Sequence, residues 1–235
     1  MWTGATTDVG HPPARRHDGA VSHVVDDGAD MPGPIDPVAF ATLVNLQCGV
    51  VSRGQCLNHG ITSDAALRRL RAGAWQMPYR GAFVTHAGPI EPDTNTWAAL
   101  LAVGAPCVAS HETAVWLGAP ERLRAPAKVH VGVLDGRRVN PLEGVVVHHL
   151  ADLCGERVLW NAAPPRIRAE QATLDVVHLC RTDDAIVAAI AASVTARVTT
   201  ISRLREQLSH RPRMRNRALV VDILADVEEG AESAL

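Results

Sequence analysis

The feature that most constrains this chain is a run of three short helical segments between Asp36 and Gly73, each opened by a capping residue and closed at a glycine. Asp36 stands at an N-cap position with Pro37 at the first helical position, where a fixed φ and a missing N–H cost nothing. Val38, Phe40, Ala41, Leu43, Val44 and Leu46 then supply an apolar stripe that stops before Gly49. Val50 and Val51 lead to Ser52, the expected cap of a second helix from Arg53 to His59, closed by Gly60. Thr62, Ser63 and Asp64 open a third helix that runs to Arg71 before Gly73. Short helices held together by such tight joints form a helix-turn-helix pattern. Residues 75–84 read as two short strands around a turn, which adds a wing.

The order of the remaining signals predicts an α+β fold: an N-terminal winged helix-turn-helix, then a mixed α/β domain with a helical C-terminal part. Three segments are expected: a disordered leader over 1–34, a winged helix-turn-helix over 35–90, and an α+β domain over 91–235 ending in helices. The leader mixes Gly, Pro, Asp, Thr and His without apolar periodicity, so it cannot offset ordering entropy by burial. Met31, just before the first periodic segment, is read as a candidate translation start. Farther on, Thr94 or Asn95 is expected to cap a helix through Val103, and Ser110 another that ends at Gly118. Residues 129–133 and 144–149 read as paired strands across Asp135, Gly136, Arg137 and Arg138. From Arg166 the pattern is helical, with Asp183 and Asp184 at a helix start, Thr200 capping a helix through Leu208, and a last helix ending at Gly230.

Composition narrows the classes. Aromatic residues are only 3% of the chain, so aliphatic side chains must fill the core. The net charge is −2, which does not by itself point to a nucleic-acid partner. Charge is segregated, however. Residues 36–90 hold five Arg and two Asp, a net +3, whereas residues 1–35 hold two Arg and five Asp, a net −3. The five cysteines (Cys48, Cys56, Cys107, Cys154, Cys180) are widely spaced without a C-x-x-C pair, which argues for idle thiols in a reducing cytoplasm. No apolar run approaches the roughly 20 residues that span a bilayer.

Catalytic signatures are missing. There is no G-x-S-x-G, P-loop, H-E-x-x-H or dinucleotide-binding glycine pattern, and the chain is read as a non-enzyme with no cofactor. Ser110 and His111 are adjacent, but neighbours on a helix point about 100° apart, so capping is the expected role for Ser110. His111, His130, His148 and His149 lack partners at ligand spacing, and no metal is expected.

A helical wheel places Ala66, Leu67 and Leu70 of the third helix on a core side, and Asp64, Ala65, Arg68, Arg69 and Arg71 on the other. A second helix-turn-helix helix enters the major groove by its N-terminal part, which puts Thr62, Ser63, Asp64, Ala65, Arg68 and Arg69 near base edges and phosphates, with Arg71 included among the expected DNA-binding residues. Arg53 and Gln55 at the start of the preceding helix, and Tyr79 and Arg80 on the wing, are expected to grip the backbone. A second basic run, Arg203, Arg205, Arg211, Arg213, Arg215 and Arg217, reads mainly as solvated surface.

The stretches Gly49 to Leu57, Gly60 to Ser63, Leu67 to Gly73 and Tyr79 to Val84, followed by Ala109 to Ala114 and Val129 to Val131, resemble the AbiEi-like antitoxin and regulator proteins of actinobacteria. The resemblance covers roughly residues 36–230 and is tightest over the winged helix. It implies a DNA-binding repressor acting on its own promoter region, which offsets a cognate toxin protein, as monomer or homodimer. Some similar proteins continue into a Vsr-like endonuclease domain, so a second reading is the DNA-targeting part of such a nuclease without its catalytic domain. A third is a protein-binding module.

Overall fold

The computed structural model describes residues 36–232, so the expected leader and the alternative start at Met31 lie outside the described residues. Helix α1 (Pro37–Leu46) opens on Asp36, whose Oδ1 accepts the N–H bonds of Val38 and Ala39 at 3.0 Å. Strand β1 (Val50–Ser52) leads straight into α2 (Arg53–Asn58). Their junction is a capping box: Ser52 Oγ accepts from Gln55 N, and Gln55 Oε1 accepts from Ser52 N at 2.8 Å. Helix α3 (Ser63–Arg71) is capped by Thr62, and β2 (Gln76–Tyr79) and β3 (Ala82–Val84) follow. The three strands form an antiparallel sheet in the order β1-β3-β2, with Val50 opposite Val84 and Ser52 opposite Ala82. Two valines before a cap carry no strand signal of their own; β3 makes them one by pairing with them.

Under this sheet Val51, Cys56, Ala66, Trp75 and Phe83 form a core, backed by Phe40, Leu43 and Leu70. Leu67 corrects the wheel, because it is 40% exposed while Ala66 is 1% exposed. Ala66 and Leu70 suffice to seat α3, and Leu67 falls at the rim of its solvent face.

Helix α4 (Pro92–Val103) starts two residues before the expected Thr94 cap, since Pro92 presets the first turn. The Thr94 hydroxyl instead donates to the Cys48 carbonyl at 3.0 Å. This helix is apolar on nearly every side. Trp97 and Ala98 join Val50, Ala82 and Val84, while Ala99, Leu100 and Val103 join Ala109, Trp116, Val129, Val131 and Val133. The boundary expected at residue 90 therefore falls beside a helix that two cores share. The C-terminal carbonyls of α4 accept from Arg137, which donates to Val103 O at 2.7 Å and Gly104 O at 2.9 Å.

A second sheet packs on the other side of α4. Its strands are β4 (Cys107–Ala109), β5 (Val129–Leu134), β6 (Val145–Leu150), β7 (Val158–Leu159) and β8 (Arg166–Ile167), in the order β6-β5-β4-β8-β7. β5 and β6 do pair, but in parallel, with Val129 opposite Val145 and Leu134 opposite Leu150, so the connection between them is a crossover and not a hairpin. Helix α5 (His111–Trp116) follows β4. Arg166 and Ile167 are strand, not the start of a helix; α6 (Ala169–Leu179) begins after them. Then come α7 (Asp183–Thr195), α8 (Ile201–Ser209), capped by Thr200 as expected, and α9 (Arg217–Glu232), which runs on past Gly230. Leu174, Ile186, Ile190, Leu204, Leu208, Val220 and Leu224 pack these four helices together. The described residues thus form an α+β fold with two sheets. Among the described residues no helix is long and apolar enough to cross a membrane.

Candidate nucleic-acid interface

Arg68, Arg69 and Arg71 occupy the last turn of α3 and Asp64 its first, the placement that complements a helix dipole at both ends. All four are exposed, as is Arg80 in the two-residue turn between β2 and β3. That turn closes through Gly81, whose φ of 85° lies in the left-handed region glycine enters without strain. The Arg53 backbone N–H donates to Gly81 O at 3.0 Å, which ties the start of α2 to the turn. Among the described residues, no hydrogen bond or ion pair engages the guanidinium of Arg68, Arg71 or Arg80. Arg53 is exposed at the first position of α2.

Other expected interface residues have internal work. Arg69 lies with its guanidinium carbon 5.2 Å from the centre of the Trp75 ring, and its Nη1 donates to Ala65 O at 3.1 Å. The Gln55 side-chain carbonyl belongs to the capping box. Thr62 Oγ1 accepts from Ala65 N at 3.2 Å, so one of its two lone pairs caps the helix. Ser63 Oγ is buried and finds no partner among the described residues. The Tyr79 hydroxyl donates to Asn95 Oδ1 at 3.0 Å, fastening the hairpin to α4, and burial raises its pKa.

The second basic run divides likewise. Arg211 donates to Asp175 Oδ1 at 2.7 Å, and Arg157 to Asp175 Oδ2 at 3.0 Å, so one buried carboxylate holds two guanidiniums. Arg205 donates to Leu224 O at 3.2 Å. Arg203, Arg213 and Arg215 remain on the exposed surface.

The structure also assembles a histidine cluster that spacing does not reveal. The rings of His111 and His148 stack with centroids 3.5 Å apart, and His130 Nδ1 lies 2.9 Å from His148 Nε2 and 2.9 Å from Glu112 Oε2. Ser110 does occupy the N-cap position of α5 but makes no capping bond; its Oγ lies 3.2 Å from His111 Nδ1. A left-handed φ of 46° at His111 makes this possible, because the two residues no longer have helical spacing. Gly132 leaves the room: a Cβ there would come within 2.6 Å of Leu150 Cδ1 and 3.3 Å of Ser110 Cβ. Burial pushes the His111 pKa down to about 4, with Asp175 and Glu112 pulling the other way. Burial, then the neighbouring His111 and His130, bring His148 to about 4 as well. For Glu112 burial is the largest single influence and acts upward, but the contact with His130, a backbone N–H and the nearby imidazoles of His130 and His111 together outweigh it, and the pKa is lowered. The rings of His130 and His148 point nitrogen at nitrogen, so that one of the two donates and the other accepts according to tautomer. Among the described residues no group of three or more His, Cys, Asp or Glu is arranged to hold a metal ion. The sequence signals that bear on this cluster are the Ser110-His111-Glu112 run after a strand and the His148-His149 pair on one, where alternation leaves one imidazole half-buried and the other exposed.

No known family model matches this chain, and no curated protein matches it. Among solved structures, a similar one is the crystal structure of the RV2827C protein from Mycobacterium tuberculosis. It is 18% identical, with 83% of this chain and 80% of that chain covered and a TM-score of 0.48.

Proposed function

We propose that residues 36–84 act as a winged helix-turn-helix that docks on double-stranded DNA, and that the chain is a sequence-specific transcriptional regulator. The observation that carries this reading is the solvent face of α3, where Arg68 and Arg71 stand exposed with no internal partner, together with Arg80 exposed on the short wing. A helix of this kind offers guanidiniums that can pair bidentately with guanine edges or with phosphates. The local charge of +3 over residues 36–90 supplies the sequence-independent attraction that every DNA binder uses. The antitoxin role, repression of its own operon and a cognate toxin as partner, rests on the resemblance to AbiEi-like proteins.

The test is binding of the full chain to a labelled duplex from upstream of its own gene, across a salt series and against scrambled DNA. Tight, selective binding whose logarithm falls linearly with the logarithm of salt is the expected result. Arg68→Ala combined with Arg71→Ala should weaken it by about 1–3 kcal/mol for each guanine that either arginine pairs with, and should reduce the salt slope where either one instead neutralises a phosphate. Absence of duplex binding even at low salt would overturn the reading and favour a protein-binding module.

A further inference from the structure

We infer that Leu67 is a specificity-determining residue which reads the methyl group of a thymine in the major groove; this rests on the DNA-binding reading above. A lone exposed leucine is ordinary on a protein surface. The position of this one is what matters. α3 is seated by Ala66, within the core that includes Val51, Trp75 and Phe83, and by Leu70, which packs against it, and Leu67 takes no part in that core. It is 40% exposed. At about 100° per residue, Leu67 lies roughly 40° from Arg71 and 100° from Arg68 around the helix. Its isobutyl group therefore stands at the edge of the surface that carries the two idle guanidiniums.

The partner's chemistry follows from what that surface presents. The charged part fits a polyanion, and residues 36–90 are net positive while the rest of the chain is not. An apolar side chain carried into a docked face is best met by an apolar counterpart, and the thymine C5-methyl is the one apolar group on the major-groove edge of a base pair. An arginine beside it suits guanine O6 and N7. The combination predicts a thymine at a fixed position within one or two base pairs of a guanine in the selected site.

A random-duplex selection with the full chain, followed by titration of the selected duplex and of its copy with deoxyuridine in place of that thymine, tests this without altering the protein. The expected loss on removing the methyl is about fourfold in affinity, the worth of one buried methyl. Leu67→Ala, an exposed substitution that should leave thermal stability unchanged, should bind the thymine and uracil duplexes equally. Selection of a site in which uracil binds as well as thymine would overturn the role of Leu67 and leave DNA binding standing. Failure to retain any duplex at low salt would instead overturn the DNA reading on which the inference rests.

Discussion

Around α3 and its hairpin, Arg68, Arg71 and Arg80 extend into solvent with their donors unspent, whereas around the second sheet Arg137, Arg157 and Arg211 are bonded inward. Arg137 finishes a helix that has run out of N–H donors, and Arg157 and Arg211 neutralise a carboxylate that could not otherwise be buried. The residue type is the same, and the number of partners already satisfied separates a structural arginine from one able to meet a ligand. Arg69 stands between the two cases: exposed, but folded against Trp75.

The sharpest way to break this contrast is Asp175→Ala. Its side chain is 10% exposed, and removing it takes the carboxylate from two guanidiniums that are 17% and 19% exposed. Arg211 keeps its bonds to Gln171 while Arg157 loses its carboxylate altogether, so the expected loss of unfolding free energy, measured by urea denaturation, is about 3 kcal/mol. A loss below about 1 kcal/mol would show that water relieves these arginines as it does those on α3.

Next in size is the pH dependence of the histidine cluster. Folded His111 and His148 bind a proton only near about 4, whereas their ordinary value is 6.5. As pH falls through that window the unfolded chain takes up protons that the folded chain refuses, so stability declines from pH 6.5 towards 4 and levels off below. For His111 alone the change is on the order of 3 kcal/mol. The lowered pKa of Glu112 acts in the same sense, its contribution being lost as acid reaches its folded pKa. Urea midpoints at several pH values should trace the decline, and His148→Gln should flatten it. Midpoints that do not move between neutral pH and 4.5 would mean that this core admits charge as readily as the surface.

The smallest expected effect comes from Tyr79→Phe. Loss of the bond to Asn95 should cost about 1 kcal/mol of stability. Duplex affinity should be unchanged, because the hydroxyl faces α4. A clear drop in affinity would restore Tyr79 to the phosphate-gripping role expected of it.

Where a signal is local, the sequence is legible. Asp36, Ser52, Thr62 and Thr200 each accept a capping bond in the structure, because an N-cap is a bond between residues two or three apart, whereas the expected caps Thr94 and Ser110 bond elsewhere. The strands β1, β4, β7 and β8 are silent in the sequence because two or three residues become strand only through partners far along the chain. The parallel pairing of β5 with β6 is hidden for a related reason: alternation fixes which residues face the core, not the direction of the neighbour. In the candidate interface, the exposed arginines are legible from composition and helical spacing. The inward turns of Gln55, Arg69 and Tyr79, and the outward one of Leu67, depend on packing that no wheel contains. The histidines come from α5, β5 and β6, and a left-handed backbone at His111 brings the first of them into the stack.

Helix α4 has a consequence for the thermodynamics of docking. With its flanks buried against both sheets, it works as an axle and not as a tether. A partner seated on α3 meets a body whose two halves already hold their final orientation, so association should not have to freeze an interdomain rotation. The ordering cost then falls on a few arginine side chains, and their rotamer entropy sets how much of the interaction energy survives as affinity.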